Sequence, residues 1–277
     1  MDNKTDQFDQ LIEVIKRLSK QDNYSIKILD EEPDIFDSKF GGIPYWTKDK
    51  EYPENSEGEK LSLLAQINFD KCDVEEPLPK NGMLQFFIDG DDDLMGLNFD
   101  DQTLPDNFRV VYHEKIDYNI TKESLEKMDI FASLDEEYFP IDGELKISLN
   151  KNFDYITPND FGFEKIFSEA YKEVYGKELD KDSRSYKVLN DEENDKLYDK
   201  LLSDDNKNNH KIFGYPFFTQ EDPRSNEKYS NYDILLLQID SDKKILWGDS
   251  GVCNFFITKE SLINRDFSKV LYNWDCC

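Results

Sequence analysis

The segment Gly248-Asp249-Ser250-Gly251 places a serine in a short, glycine-flanked turn. A serine so held can act as a nucleophile if a histidine and a carboxylate stand beside it. The chain offers two histidines for that role, His113 and His210. His113 ends an apolar run, and His210 falls in the polar stretch DDNKNNHK (204–211). Trypsin-like hydrolases are secreted and disulfide-bonded. The four cysteines here, Cys72, Cys253, Cys276 and Cys277, form no CxxC pair and no disulfide framework. The string therefore reads as a turn joining two strands. A hydrolase using Ser250 or Asp249 stands as the alternative.

A second group with chemical potential is the acidic run Asp89-Gly90-Asp91-Asp92-Asp93, followed by Asp100 and Asp101. Asp89, Asp91, Asp93 and Asp100 fall on positions 1, 3, 5 and 12 of a calcium loop, which makes Ca2+ the one cofactor to consider. Leu94 occupies the place of the usual glycine, and position 12 is Asp rather than Glu. A solvated acidic loop is the simpler reading. No His/Cys cluster has zinc spacing, and no glycine-rich loop could cradle a phosphate.

The bulk properties narrow the partners. The chain has 277 residues, 61 Asp and Glu against 34 Lys and Arg, and a formal net charge of −27. Neutralising nucleic-acid phosphates needs a basic face, and so does docking on anionic membranes; neither partner is expected. Solubility accounts for the charge in the first instance, and a basic protein partner is the sharper possibility. The sequence MDNKTDQFDQLIEVIKRLSK lacks the pattern of a signal peptide, and no run approaches eighteen apolar residues. A reduced, cytoplasmic protein is expected. Oligomeric state is left open.

The elements that must position these residues follow from hydrophobic periodicity. Phe8, Leu11, Ile12, Ile15 and Leu18 predict an N-terminal helix within 1–22, with Thr5 as its cap. SLLAQINF (62–69) and MLQFFI (83–88) predict strands buried on both faces. FRVVYH (108–113), ELKISL (144–149), YDILLLQID (232–240), KILW (244–247) and VCNFFI (252–257) predict further strands. Thr157-Pro158-Asn159-Asp160 predicts a helix start that Gly176 would end, and a second helix is expected over 191–202. Thr258 should cap a short helix.

Two parts of the chain match each other. Gly42-Ile43-Pro44-Tyr45-Trp46 and Leu64-Ala65-Gln66-Ile67 recur 172 residues later as Gly214-Tyr215-Pro216-Phe217-Phe218 and Leu236-Leu237-Gln238-Ile239. Gly82–Ile88 recurs 169 residues later as Gly251–Ile257. The expected fold is one α+β domain over 1–277, with a mostly antiparallel β framework and an internal duplication. It comprises the N-terminal helix (1–22), a first β repeat (40–115), a helical middle segment (120–205) and a second β repeat (212–277). Gln66 and Gln238 each sit in an apolar strand, where an unpaired amide costs about 1–3 kcal/mol. They serve structure, or they line a site between the repeats with Trp46, Trp247 and Asp249.

The motifs GGIPYW, LLAQINF, LPKNGMLQFFI, FRVVYHE, FGYPFF, DILLLQIDSD, WGDSGVCNFFI and YNWDCC span about 41 to 277. Together they resemble the YwqG-like family of uncharacterised bacterial proteins. The resemblance implies a soluble α+β protein with a duplicated β framework, and it offers no catalytic residues to carry over. Its genes look like neighbours of secreted-toxin systems, which implies an immunity role. The leading expectation is thus a non-enzymatic cytoplasmic binding protein, for instance an immunity protein that neutralises a basic toxin. If Ser250 were catalytic instead, Ser250→Ala would abolish activity in a hydrolase assay and leave stability unchanged.

Overall fold

The computed structural model describes residues 3–128, 131, 136–202 and 210–276. Helix α1 (Asn3–Ser19) is followed by β1 (Gln21–Ile28), β2 (Lys39–Phe40), β3 (Ser62–Asn68), β4 (Met83–Ile88) and β5 (Phe108–His113). Next come α2 (Lys122–Glu126), β6 (Leu145–Asp154), α3 (Phe163–Tyr175), α4 (Ser185–Val188) and α5 (Asp191–Leu201). The chain continues with β7 (Lys211–Phe213), β8 (Ile234–Asp240), β9 (Val252–Ile257), α6 (Lys259–Ile263) and β10 (Val270–Asp275). The fold is α+β.

Among the described residues all ten strands lie in one sheet, in the order β10-β9-β8-β7-β1-β6-β2-β3-β4-β5, and each neighbouring pair is antiparallel. The long β1–β6 ladder forms the centre. A first arm (β2–β5) extends from β6 and a second (β7–β10) from β1. The sheet curls until its ends meet, giving a nearly closed barrel. Phe86 packs on Phe255 at 5.0 Å between ring centroids, and Phe108 on Tyr272 at 5.2 Å. Burying these aromatic faces against each other supplies the main core, which runs through both arms.

The outer faces of the arms are covered too, and this explains the unbroken apolar runs. In β3, Ala65 and Ile67 face the main core, while Leu63 joins an outer cluster with Trp46, Tyr52 and Phe87. In β8, Leu237 and Ile239 face inward, and Leu235 packs outside with Phe218 and Phe256. The register matches across the arms. Leu63 and Ala65 pair with Phe87 and Phe86, with a bulge between them; Leu235 and Leu237 pair with Phe256 and Phe255, again with a bulge between them. Phe8, Leu11 and Ile15 of α1 bury against Phe167 of α3 and Leu197 of α5 in a separate cluster.

Several sequence expectations need correction. Helix α1 begins at Asn3, so Thr5 lies inside it rather than capping it. Helix α3 begins at Phe163; Thr157 opens a turn in which Asp160 N donates to Thr157 O, not the helix itself. Residues 244–247 form no strand, only a single bridge between Ile245 and Ile141. The strand expected over 144–149 runs on to Asp154 and is central to the sheet. Gly176 ends α3 in the left-handed conformation, as expected, and Thr258 caps α6. Residues 204–209 and Cys277 lie outside the described residues; Cys276 is half-buried. Among the described residues no helix is long and apolar enough to cross a membrane.

Gly251 shows how tightly β9 and β10 approach. A Cβ there would stand 1.9 Å from the carbonyl oxygen of Asp275, whereas one on Gly58 would meet nothing within 4 Å. Gly251→Ala should therefore cost about 2–3 kcal/mol through steric overlap. Gly58→Ala should cost only the strain of its φ of +86°, about 1 kcal/mol. Urea denaturation of the two variants checks the contrast.

Candidate functional site

The first arm builds a site from a turn, two strands and a helix end. The turn begins after Gly42 and lays Tyr45 and Trp46 across the outer faces of β3 and β4. Its position is fixed by amide side chains. Tyr45 N donates to Gln66 Oε1 (3.0 Å), and Gln85 Nε2 donates to Tyr45 O (2.8 Å). Gln66 Nε2 donates to the carbonyls of Ile35 (2.9 Å) and Asp37 (2.8 Å). Both glutamines are fully buried; Gln66 fills all four of its hydrogen-bonding positions and Gln85 three.

His113, at the end of β5, completes this network. It is 3% exposed, and its Nε2 lies 2.9 Å from Gln85 Oε1. Burial, with the nearby Lys50 charge, pushes its pKa down to about 3. The ring is neutral at pH 7, so Nε2–H donates to the glutamine. Tyr45 and Trp46 meet the ring edge-on at 5.2 and 5.0 Å.

Above this floor lies an open cleft of about 1340 Å3. Its walls are the 45–50 turn, residues 79–81, the segment 112–117, α2, and the end of α6. Lys48, Lys50, Lys80, Lys115 and Arg265 line it against Asp49, Glu114 and Asp117. A basic excess is notable in a chain of formal charge −27. Three of these cations hold backbone carbonyls rather than carboxylates. Lys50 Nζ donates to Tyr112 O (2.8 Å), Lys80 Nζ to Val74 O, and Arg265 Nη1 to the carbonyls of Pro77 and Leu262. Burial lowers the pKa of Lys50 from its ordinary value. Positive charge without a paired carboxylate, on a cleft wall, attracts anions.

The residues singled out from sequence lie elsewhere or apart. Gln66 and Trp46 belong to the outer layer of the first arm; Trp46 Nε1 donates to Lys50 O (3.1 Å). Gln238 lies under the second arm's own turn, accepting from Phe217 N (2.8 Å). Trp247 is in the main core, and Asp249 is exposed in its turn. The structure does not gather these five residues, because the space between the arms is filled by the shared apolar core. Asp89, Asp91, Asp93 and Asp100 are not drawn together either: among the described residues no three acidic, His or Cys side chains could hold a metal ion. Asp89 instead accepts from Asn55 Nδ2 (2.8 Å) and Asp91 N (3.2 Å). Ser250 is exposed, and neither histidine bonds to it; His210 accepts from Asp240 N (3.0 Å).

Sequence reasoning passed over Thr47, Lys50 and Arg265. Lys48 and Lys50 alternate with Asp49 and Glu51, so the local sequence carries no net basic charge that would single them out. Arg265 reaches the cleft only because the barrel brings the two sheet ends together.

The depressed His113 pKa has a measurable consequence. Unfolding lets the ring take up a proton at its ordinary pKa of 6.5, so stability from this group is present above pH 6.5 and falls between there and about 3. Relative to His113→Gln, the wild type should lose about 1.4 kcal/mol per pH unit in that window. Urea denaturation at several pH values reads the slope.

A search of curated proteins gives no significant match. The profile of a domain of unknown function, DUF1963, matches residues 38–276, from the edge of β2 through β10, and the chain belongs to that family.

Proposed function

We propose that this protein is a non-enzymatic binding protein that takes a small anionic ligand in the cleft above His113. The observation that carries this reading is the group of cations on the cleft wall whose partners are backbone carbonyls. A carbonyl neutralises no charge, so a bound anion gains Coulomb energy there without displacing an internal carboxylate. His113 supports binding rather than proton transfer, since its pKa of about 3 keeps it a fixed hydrogen-bonding group at neutral pH.

We also infer that the arms are copies of one unit, in line with the YwqG-like resemblance over 41 to 277. Corresponding bulges support this, as do corresponding glutamine contacts to Tyr45 and Phe217. A second reading, sequestration of a basic protein such as a toxin in the cytoplasm, rests on the net charge of −27.

Calorimetric titration with inorganic phosphate and with succinate tests the first reading. Binding of either anion is expected, weakened about tenfold by Lys50→Ala or Arg265→Ala, a loss of about 1.4 kcal/mol each. Affinity unchanged in both variants would overturn it.

A further inference from the structure

The second arm shows what the first arm lacks. There, the turn after Gly214 is docked as its counterpart is: Phe217 N donates to Gln238 Oε1 (2.8 Å), and Asn254 Nδ2 donates to Phe217 O (2.9 Å). Just beyond it, the carboxylate of Asp275 accepts from Thr219 N (2.9 Å), Thr219 Oγ1 (2.8 Å) and Gln220 N (3.4 Å). Asp275 ends β10 opposite Val252, as His113 ends β5 opposite Met83. The segment 157–161 closes over this turn, with Asn159 Nδ2 on Phe218 O (3.4 Å) and Phe161 N on Asp222 Oδ2 (3.0 Å).

In the first arm the corresponding donors are Thr47 N and Lys48 N. Among the described residues neither amide has an acceptor. The strand position that supplies a carboxylate in the second arm is His113, whose Nε2 is spent on Gln85. The Thr47 hydroxyl is engaged by the exposed Asp49. Where the second arm is closed by 157–161, the first opens into the cleft, and Thr47 and Lys48 line it.

We propose that the cleft binds a carboxylate group, seated on Thr47 N and Lys48 N in the place that Asp275 fills for the second arm. This rests on the anion-binding reading and names the ligand's chemistry. A planar carboxylate suits two adjacent backbone donors, as the Asp275 contacts demonstrate. Asp49, Glu114 and Asp117 on the same walls disfavour a group that concentrates two charges, as phosphate does, relative to a carboxylate group, which carries one. The carboxylate can belong to a free small acid or to a peptide C-terminus.

Amide NMR of the 15N-labelled full chain tests this with three probes: succinate, an N-acetylated dipeptide with a free C-terminus, and inorganic phosphate. The expected result is saturable shifts of the Thr47 and Lys48 amides with at least one carboxylate probe, and the tighter of the two identifies the source. Phosphate should bind at least tenfold more weakly. Shifts with phosphate alone would overturn the carboxylate assignment and leave the anion cleft standing. No shift with any probe would overturn both. Carboxylate-induced shifts confined to other residues would also overturn the assignment. His113→Asp gives the first arm its own carboxylate and should weaken succinate binding at least tenfold. If that variant fails to fold, the wild-type titration still decides.

Discussion

A glutamine amide buried under an aromatic turn has four hydrogen-bonding positions and no water to satisfy them. Gln66 meets this demand with Tyr45 N and Gln85 on its oxygen, and with the carbonyls of Ile35 and Asp37 on its nitrogen. Each missing partner would leave a buried polar group at a cost of about 1–3 kcal/mol. The turn, the 35–37 segment and β4 are therefore tied to β3 at one point. His113 is tied in turn through Gln85. The placing of the cleft floor follows from this network.

The barrel makes the network useful. Its main core takes the inward side chains of both arms, so the outward faces are free to carry separate layers. The outer layer of the second arm is closed by internal groups, including Asp275 and the segment before α3. That of the first arm is left open beside the sheet ends. Arg265, just past the helix preceding β10, reaches across to the carbonyls of Pro77 and Leu78 and so becomes a wall of the first arm's cleft. The bulges in β3 and β8 add local twist of the kind that lets an antiparallel sheet curl this far.

Much of this was legible in the sequence. The strands 83–88, 108–113 and 252–257 were read with their observed bounds, because continuous apolar runs between turn residues have few other solutions. The glutamines stood out as polar groups within such runs. Strand β1 was missed although Tyr24 and Ile26 alternate with Ser25 and Lys27, a half-buried pattern easily lost after a strong helix. The apolar run 244–247 was over-read: Trp247 is buried by the core rather than by strand pairing. The cap-like Thr157 was misread because a turn uses the same residues as a helix start. The cleft itself was hidden by the net charge, which averages over a chain whose local basic cluster is assembled from four separate segments.

The amide hydrogen exchange of the 45–48 turn tests the central claim most directly, that a buried glutamine holds this turn rigid while the amides of Thr47 and Lys48 stay open. Tyr45 should exchange as slowly as the core of β3. Thr47 and Lys48 should exchange fast in the free protein and slow down when succinate is added. Tyr45 exchanging as fast as Thr47 would contradict the account, since the turn would then be loose and its donors not preorganised.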